Sequence, residues 1–211
     1  MGSIMSIKEQ VYLLERKMRE YNAADSPGIT LVVAESQLYR QSIVEILKYY
    51  VNEKKVPCIY VTINIPFESI RSMLSGSGVD MKKIVFVDAI TRTVGGRTER
   101  SEGCIYLNRI NDLTDMAVAI SNAVQGIPAA RRLILLDSVS TLQVYNNDVS
   151  VSKFLHFLTG KMRVWNMDCV LMSLKTMKDE AFLSQVSLYC DRRMDVDAGN
   201  VQTCSNENIL S

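Results

Sequence analysis

The stretch LVVAESQLYRQSIVEIL, Leu31 to Leu47, sets the architecture. Leu31, Val32, Val33 and Ala34 form an apolar run without alternation, as in a strand covered on both faces. From Leu38 onward the apolar positions Ile43, Ile46, Leu47 and Tyr50 keep to one face of a helix. A buried strand feeding at once into an amphipathic helix is the first half of a strand–helix–strand unit.

The same alternation runs outward from this stretch. Before it, Val11, Leu14, Met18 and Tyr21 recur at helical spacing, and NAADSPG supplies a turn. After it, PCIYVTI reads as a strand and PFESIRSMLSGSG as a helix opened by Pro66 and closed at Gly76 or Gly78. KKIVFVDA, RRLILLDS and DCVLMSL are a third, fourth and fifth strand, with the segment CIYLN and helices over 113–124 and 149–165 between them. KDEAFLSQVSLYC reads as helical, RRMDVDA as a short closing edge strand, and GNVQTCSNENILS as a frayed tail. The expected fold class is α/β, a three-layer fold with a mostly parallel central sheet and helices on both faces. Residues 1–25 hold an amphipathic helix and an MGS expression remnant, 26–198 the domain, and 199–211 a flexible tail.

Composition narrows the function. The 24 basic and 23 acidic side chains nearly cancel, so no overall field draws nucleic acid or an anionic membrane, although a local basic patch stays open. Five cysteines without a C-x-x-C pair fit reduced, mostly buried thiols in a cytoplasmic protein, and one histidine disfavours a zinc site. No apolar run reaches the length of a membrane span. The eleven methionines are expected mainly in the core, and His156, flanked by apolar residues, as a core or packing histidine.

Four segments carry a resemblance to a known family. They are GITLVVAESQLYRQSIVEILKYYVNE, CIYVTINIPFESI, RRLILLDSVSTLQVYNNDVSVSKFLHFLTGKMR and FLSQVSLYCDRRMDV. Together they resemble the KaiC-like branch of the RecA superfamily of ATPases over about Ser26 to Ala198. The third is the most specific: an apolar strand ending in Asp-Ser, then Ser-Thr-Leu, Tyr-Asn and a Phe-Leu-His-Phe-Leu helix. The resemblance implies a RecA-like P-loop fold.

It also implies a register for a phosphate-binding loop of the form G-x-x-x-x-G-K-[ST], whose backbone N–H groups wrap phosphate. That register falls on Ala34, Glu35, Ser36, Gln37, Leu38, Tyr39, Arg40 and Gln41. Ala34 and Tyr39 stand at the glycine positions, where close backbone approach and positive φ disfavour a side chain. Arg40 keeps the lysine's charge but not its compact shape, and Gln41 is a poor magnesium ligand. Glu35 adds negative charge where phosphate would lie. The family's second strand ends in catalytic glutamates, and here those positions are Asn64 and Ile65, neither of them a general base. Asp137 and the adjoining Ser138 remain of the magnesium-binding set. Asp137 is expected to cap the following segment or accept backbone N–H bonds, with a residual metal role as the other reading.

Arg92, Arg97 and Arg100 lie in a glycine-containing loop beyond the third strand, on the rim where such sheets place ligands. The plain reading is a solvated loop balanced by Glu99 and Glu102. Contact with a partner subunit is the functional one, and the loop itself lacks an aromatic residue to stack bases. The sequence therefore reads as a pseudo-ATPase: an inactive KaiC/RecA-like domain kept for protein interaction, self-association or regulation. It is expected to have no metal and no cofactor, to contact no membrane, and to bind nucleic acid poorly. Two alternatives stand. One is a nucleotide sensor, with ATP and magnesium on an unorthodox loop built from Ser36, Gln37 and Arg40. The other is a recombinase-paralogue-like accessory protein that binds DNA through Arg92 to Arg100.

Overall fold

The computed structural model describes residues 7–21, 26–98, 102–176, 180–197 and 200–205. Its strands are β1 (Ile29–Ala34), β2 (Cys58–Thr62), β3 (Ile84–Asp88), β4 (Cys104–Tyr106), β5 (Leu133–Asp137), β6 (Asp168–Leu174), β7 (Arg192–Asp197) and β8 (Asn200–Ser205). The helices are α1 (Ile7–Tyr21), α2 (Ser36–Leu47), α3 (Phe67–Gly76), α4 (Leu113–Gln125), α5 (Val139–Tyr145), α6 (Asp148–Val164) and α7 (Glu180–Ser187). A π-helical stretch, Lys48–Glu53, prolongs α2.

One sheet holds all eight strands in the order β4-β3-β2-β5-β6-β1-β7-β8. Every neighbouring pair is parallel except β7 and β8. Parallel strands need crossovers, and those crossovers are the helices, which cover both faces.

Alternation along the strands sorts the core into two layers. Leu31, Val33, Ile59, Val61, Ile134, Leu136 and Leu171 point to the side covered by α4, α5, α6 and α7. Val32, Ala34, Cys58, Tyr60, Leu133, Leu135, Val170 and Met172 point to the side of α1, α2 and α3. Helix α1 seats Leu14 and Met18, almost wholly buried, in that second layer, so the helix set apart as residues 1–25 shares a core with the domain. Each such side chain contributes about 1.5–3 kcal/mol through burial.

Two sequence expectations are corrected at the C-terminus. The tail 199–211 was expected to be frayed, but residues 200–205 form β8, antiparallel to β7. Strand β7 is consequently internal and β8 forms that edge. The sequence NVQTCS is polar, so it lacks an apolar run; among residues 201–204 Val201 alone is buried, and backbone pairing with β7 carries the rest. His156, expected as a core or packing histidine, takes the packing role. It is exposed rather than in the core, and its ring packs edge-on against Tyr189 with centroids 5.0 Å apart.

Candidate functional site

The rim beyond the C-terminal ends of β1, β2 and β5 gathers the residues singled out from the sequence. Strand β1 ends at Ala34 and α2 begins at Ser36, leaving Glu35 as the whole connection. Glu35 is extended (φ −61°, ψ 149°), and its N–H donates to the Val196 carbonyl of β7 at 3.1 Å. The Leu38 N–H donates to the Glu35 carbonyl at 2.9 Å. Ser36, Gln37, Leu38, Tyr39, Arg40 and Gln41 thus lie in the first turns of a helix, and none of them has positive φ. Leu38 and Tyr39 face the sheet and are buried, whereas Ser36, Gln37 and Arg40 are exposed. The Gln37 amide donates to Glu35 at 3.1 Å, and that of Gln41 to Glu45 at 2.6 Å.

Strand parity decides where Asp137 points. Leu133, Leu135 and Asp137 share one face of β5, and Tyr60 shares the corresponding face of β2, beneath α2. On α2, Tyr39 lies on the same buried face as Ile43 and Ile46. The three meet inside the protein. The Tyr39 hydroxyl donates to Asp137 Oδ1 at 2.5 Å, and the Tyr60 hydroxyl to Oδ2 at 2.7 Å. Asp137 is fully buried, and burial raises its pKa above the usual carboxyl value; the two hydroxyls and the nearby Arg40 charge pull it down. Burial, and then the charge of Asp137, pushes both phenols well up, which keeps them protonated and donating.

The expected cap belongs to Ser138 rather than to the Asp137 side chain. Ser138 Oγ accepts from Thr141 N–H at 3.1 Å and starts α5. The Asp137 carbonyl accepts from Ile63 N–H at 2.7 Å, and the Asp137–Ser138 peptide is cis. Asn64 is exposed and Ile65 half-buried just past β2, where the Ile65 carbonyl accepts from the Thr62 hydroxyl.

Arg92 and Arg97 are exposed, and Arg100 lies outside the described residues. Arg92 bonds Thr98 Oγ1 at 3.0 Å and Asn108 Oδ1 at 2.8 Å, with its guanidinium carbon 5.8 Å from the Tyr106 ring centre. The arginine loop follows β3, and β2, β5 and β6 separate β3 from β1. The fold therefore brings Tyr39, Tyr60 and Asp137 together, while Arg92 bonds within its own loop and to Asn108.

Two rim features escaped sequence reading. Asp88, at the end of β3, is fully buried and accepts from the N–H groups of Phe67, Ile90 and Thr91, each at 2.8 Å, and from the Thr91 hydroxyl at 2.5 Å. Tyr60 was read only as a strand residue. Its place two pairs short of the strand's end, opposite the strand that ends in Asp137, was the available signal. Among the described residues, no group of three or more His, Cys, Asp or Glu side chains is arranged to hold a metal, and no helix is long and apolar enough to cross a membrane.

A family model described as "ATPase: KaiC" matches residues 46–194, beginning after the β1–α2 connection. No curated protein matches the sequence. Among solved structures, a KaiC-like protein from the hyperthermophilic archaeon Pyrococcus horikoshii superposes with a TM-score of 0.60 at 13% identity, covering 84% of this chain and 76% of that one. At that identity the likeness speaks for the fold.

Proposed function

The chain belongs to the KaiC ATPase family, and on that premise we propose that it does not hydrolyse ATP and serves as a protein-interaction, assembly or regulatory module. The observation that carries this reading is the engagement of both Asp137 oxygens by Tyr39 and Tyr60. A magnesium ion needs near-octahedral oxygen ligands, and the oxygens of Asp137 already face two buried phenols. The one-residue connection at Glu35 supports the same reading. Its neighbours' N–H groups enter helical geometry rather than a phosphate-wrapping loop. Neither Asn64 nor Ile65 is able to take a proton from an attacking water. The residues present do not fit magnesium-bound ATP.

Phosphate release measured with ATP and magnesium tests the reading. The expected result is no magnesium-dependent turnover; a robust rate abolished by Asp137→Asn overturns it. Solution mass with and without ATP then reports self-association and any dependence on nucleotide.

A nucleotide sensor is the second reading, favoured by the exposure of Ser36, Gln37 and Arg40 together at the start of α2. Calorimetric titration with ATP, ADP and GTP separates the two: binding lost in Arg40→Ala supports the sensor. DNA contact through the Arg92 loop is less favoured, because Arg92 is engaged by its own loop and by Asn108.

A further inference from the structure

The opposite end of the sheet, where the strands begin, carries a basic row. Strand β2 lies between β3 and β5, with Cys58 opposite Ile84 on one side and Leu133 on the other. Each strand is preceded by two adjacent cations: Lys82 and Lys83 before β3, Lys54 and Lys55 before β2, Arg131 and Arg132 before β5. Shared register therefore brings six basic residues from three distant stretches to one end of the molecule, over two strand spacings or roughly 10 Å.

Two acidic groups at this end are ion-paired, while Glu102, ahead of β4, is exposed. Glu53 pairs with Arg19 at 2.8 Å and Asp168 with Arg131 at 2.7 Å, while Asp80 accepts from Lys82 N–H at 3.2 Å. Among the described residues, Lys55, Lys82 and Lys83 have no carboxylate at ion-pair distance. Arg132 donates to the Val124 carbonyl at 3.1 Å, and its buried Nε has no partner. Lys55 holds φ 60°, a left-handed conformation that favours glycine or asparagine, yet it presents an exposed ammonium.

The chemistry of the row selects its ligand. Protein-docking surfaces are poor in lysine and anchored by aromatic residues, but Tyr49 and Tyr50, beside Lys54 and Lys55, are 3% and 2% exposed. Among the described residues, no ring lies against Lys55, Lys82 or Lys83, which disfavours single strands. Lysines acting as point charges suit backbone phosphates and carry no base readout. We propose that this end, centred on Lys55, Lys82 and Lys83, binds the phosphate backbone of duplex nucleic acid without sequence preference. The near-zero net charge is no obstacle, since acids such as Glu180, Asp195 and Asp197 lie elsewhere. This goes beyond the interaction-module reading and does not depend on ATP.

Fluorescence anisotropy of a labelled random-sequence DNA duplex, titrated across salt, tests the proposal. The wild type is expected to bind at low salt. The triple variant Lys55→Glu/Lys82→Glu/Lys83→Glu loses about tenfold or more and flattens the log–log salt slope by about 3. The Gln versions at the same positions lose less, in the same direction, and give the answer if charge reversal impairs folding. Arg92→Glu/Arg97→Glu retains wild-type binding. No duplex binding at low salt, unchanged binding by the lysine variants, or a loss confined to the loop variant overturns the proposal. Binding of polyglutamate or phosphatidylserine vesicles without binding of duplex overturns it equally.

Discussion

The hydroxyl of Tyr39 lies 2.5 Å from Oδ1 of Asp137, joining residues 98 positions apart in the chain, and the Tyr60 hydroxyl reaches Oδ2 at 2.7 Å. A buried carboxylate that accepts from two phenols is fixed to both α2 and β2. Tyr39→Phe and Tyr60→Phe each leave one of its oxygens short of a donor and are expected to cost about 1–3 kcal/mol. Urea unfolding of both singles and the double forms a cycle in which the shared carboxylate makes the two losses non-additive. Additive losses would mean that the tyrosines act separately.

The same carboxylate gives stability a pH dependence. Its folded pKa is raised above the ordinary 3.8, chiefly by burial, so the fold binds this proton more tightly than the unfolded chain does. The resulting contribution is complete below about pH 4 and is lost as pH climbs through the folded value. Asp137→Asn has no proton to lose, so its stability relative to wild type is expected to improve from about pH 4 to pH 7. Urea midpoints of the two proteins across that range measure the change, and a constant difference would remove Asp137 as its source.

Asp88 is a second buried knot, tying the end of β3 to the start of α3 through Phe67 N–H and to its own turn through Ile90 and Thr91. Asp88→Ala strands these donors and is expected to cost about 3 kcal/mol or more. Asp88→Asn keeps one acceptor oxygen and is expected to cost less. Thermal unfolding of both variants ranks them, and an alanine variant that melts with the wild type would refute this role.

Thiol reactivity offers a probe of the core. Burial pushes Cys190 up to about 12, and Cys58 and Cys169 are raised by the same cause; all three are buried. Burial, then the charge of Asp88, pushes half-buried Cys104 up to about 12 as well. Cys204, exposed on β8, is expected to react first with a disulfide reagent at neutral pH, and the three buried thiols only on unfolding. Mass spectrometry of partly labelled native protein reads the order. Early labelling of Cys169 or Cys190 would show that the α6–α7 layer opens readily.

Local signals made much of the rim readable. The expectation that Ala34 and Tyr39 disfavour a phosphate loop, and Asn64 and Ile65 a general base, rests on residue type once the family resemblance sets the register, because both need particular side chains. Arg92 was readable only as a charge. Its bonds to Thr98 and Asn108 depend on how a loop folds back on β4, which composition does not specify. Strand β8 was missed because its stability comes from backbone pairing with β7 rather than from an apolar run.

By itself the sequence determined the alternation of strand and helix, since unbroken runs such as LVVA and LILLD and the spacing of Ile43, Ile46 and Leu47 are local properties of the chain. Tertiary structure alone decided what became of the site. Strand order and side-chain parity put Tyr60 and Asp137 on one face, and α2 laid Tyr39 across it. The same strand order lined up Lys55, Lys82 and Arg132 at the far end. Both groupings join residues far apart in the chain, and only sheet register fixes which of them become neighbours.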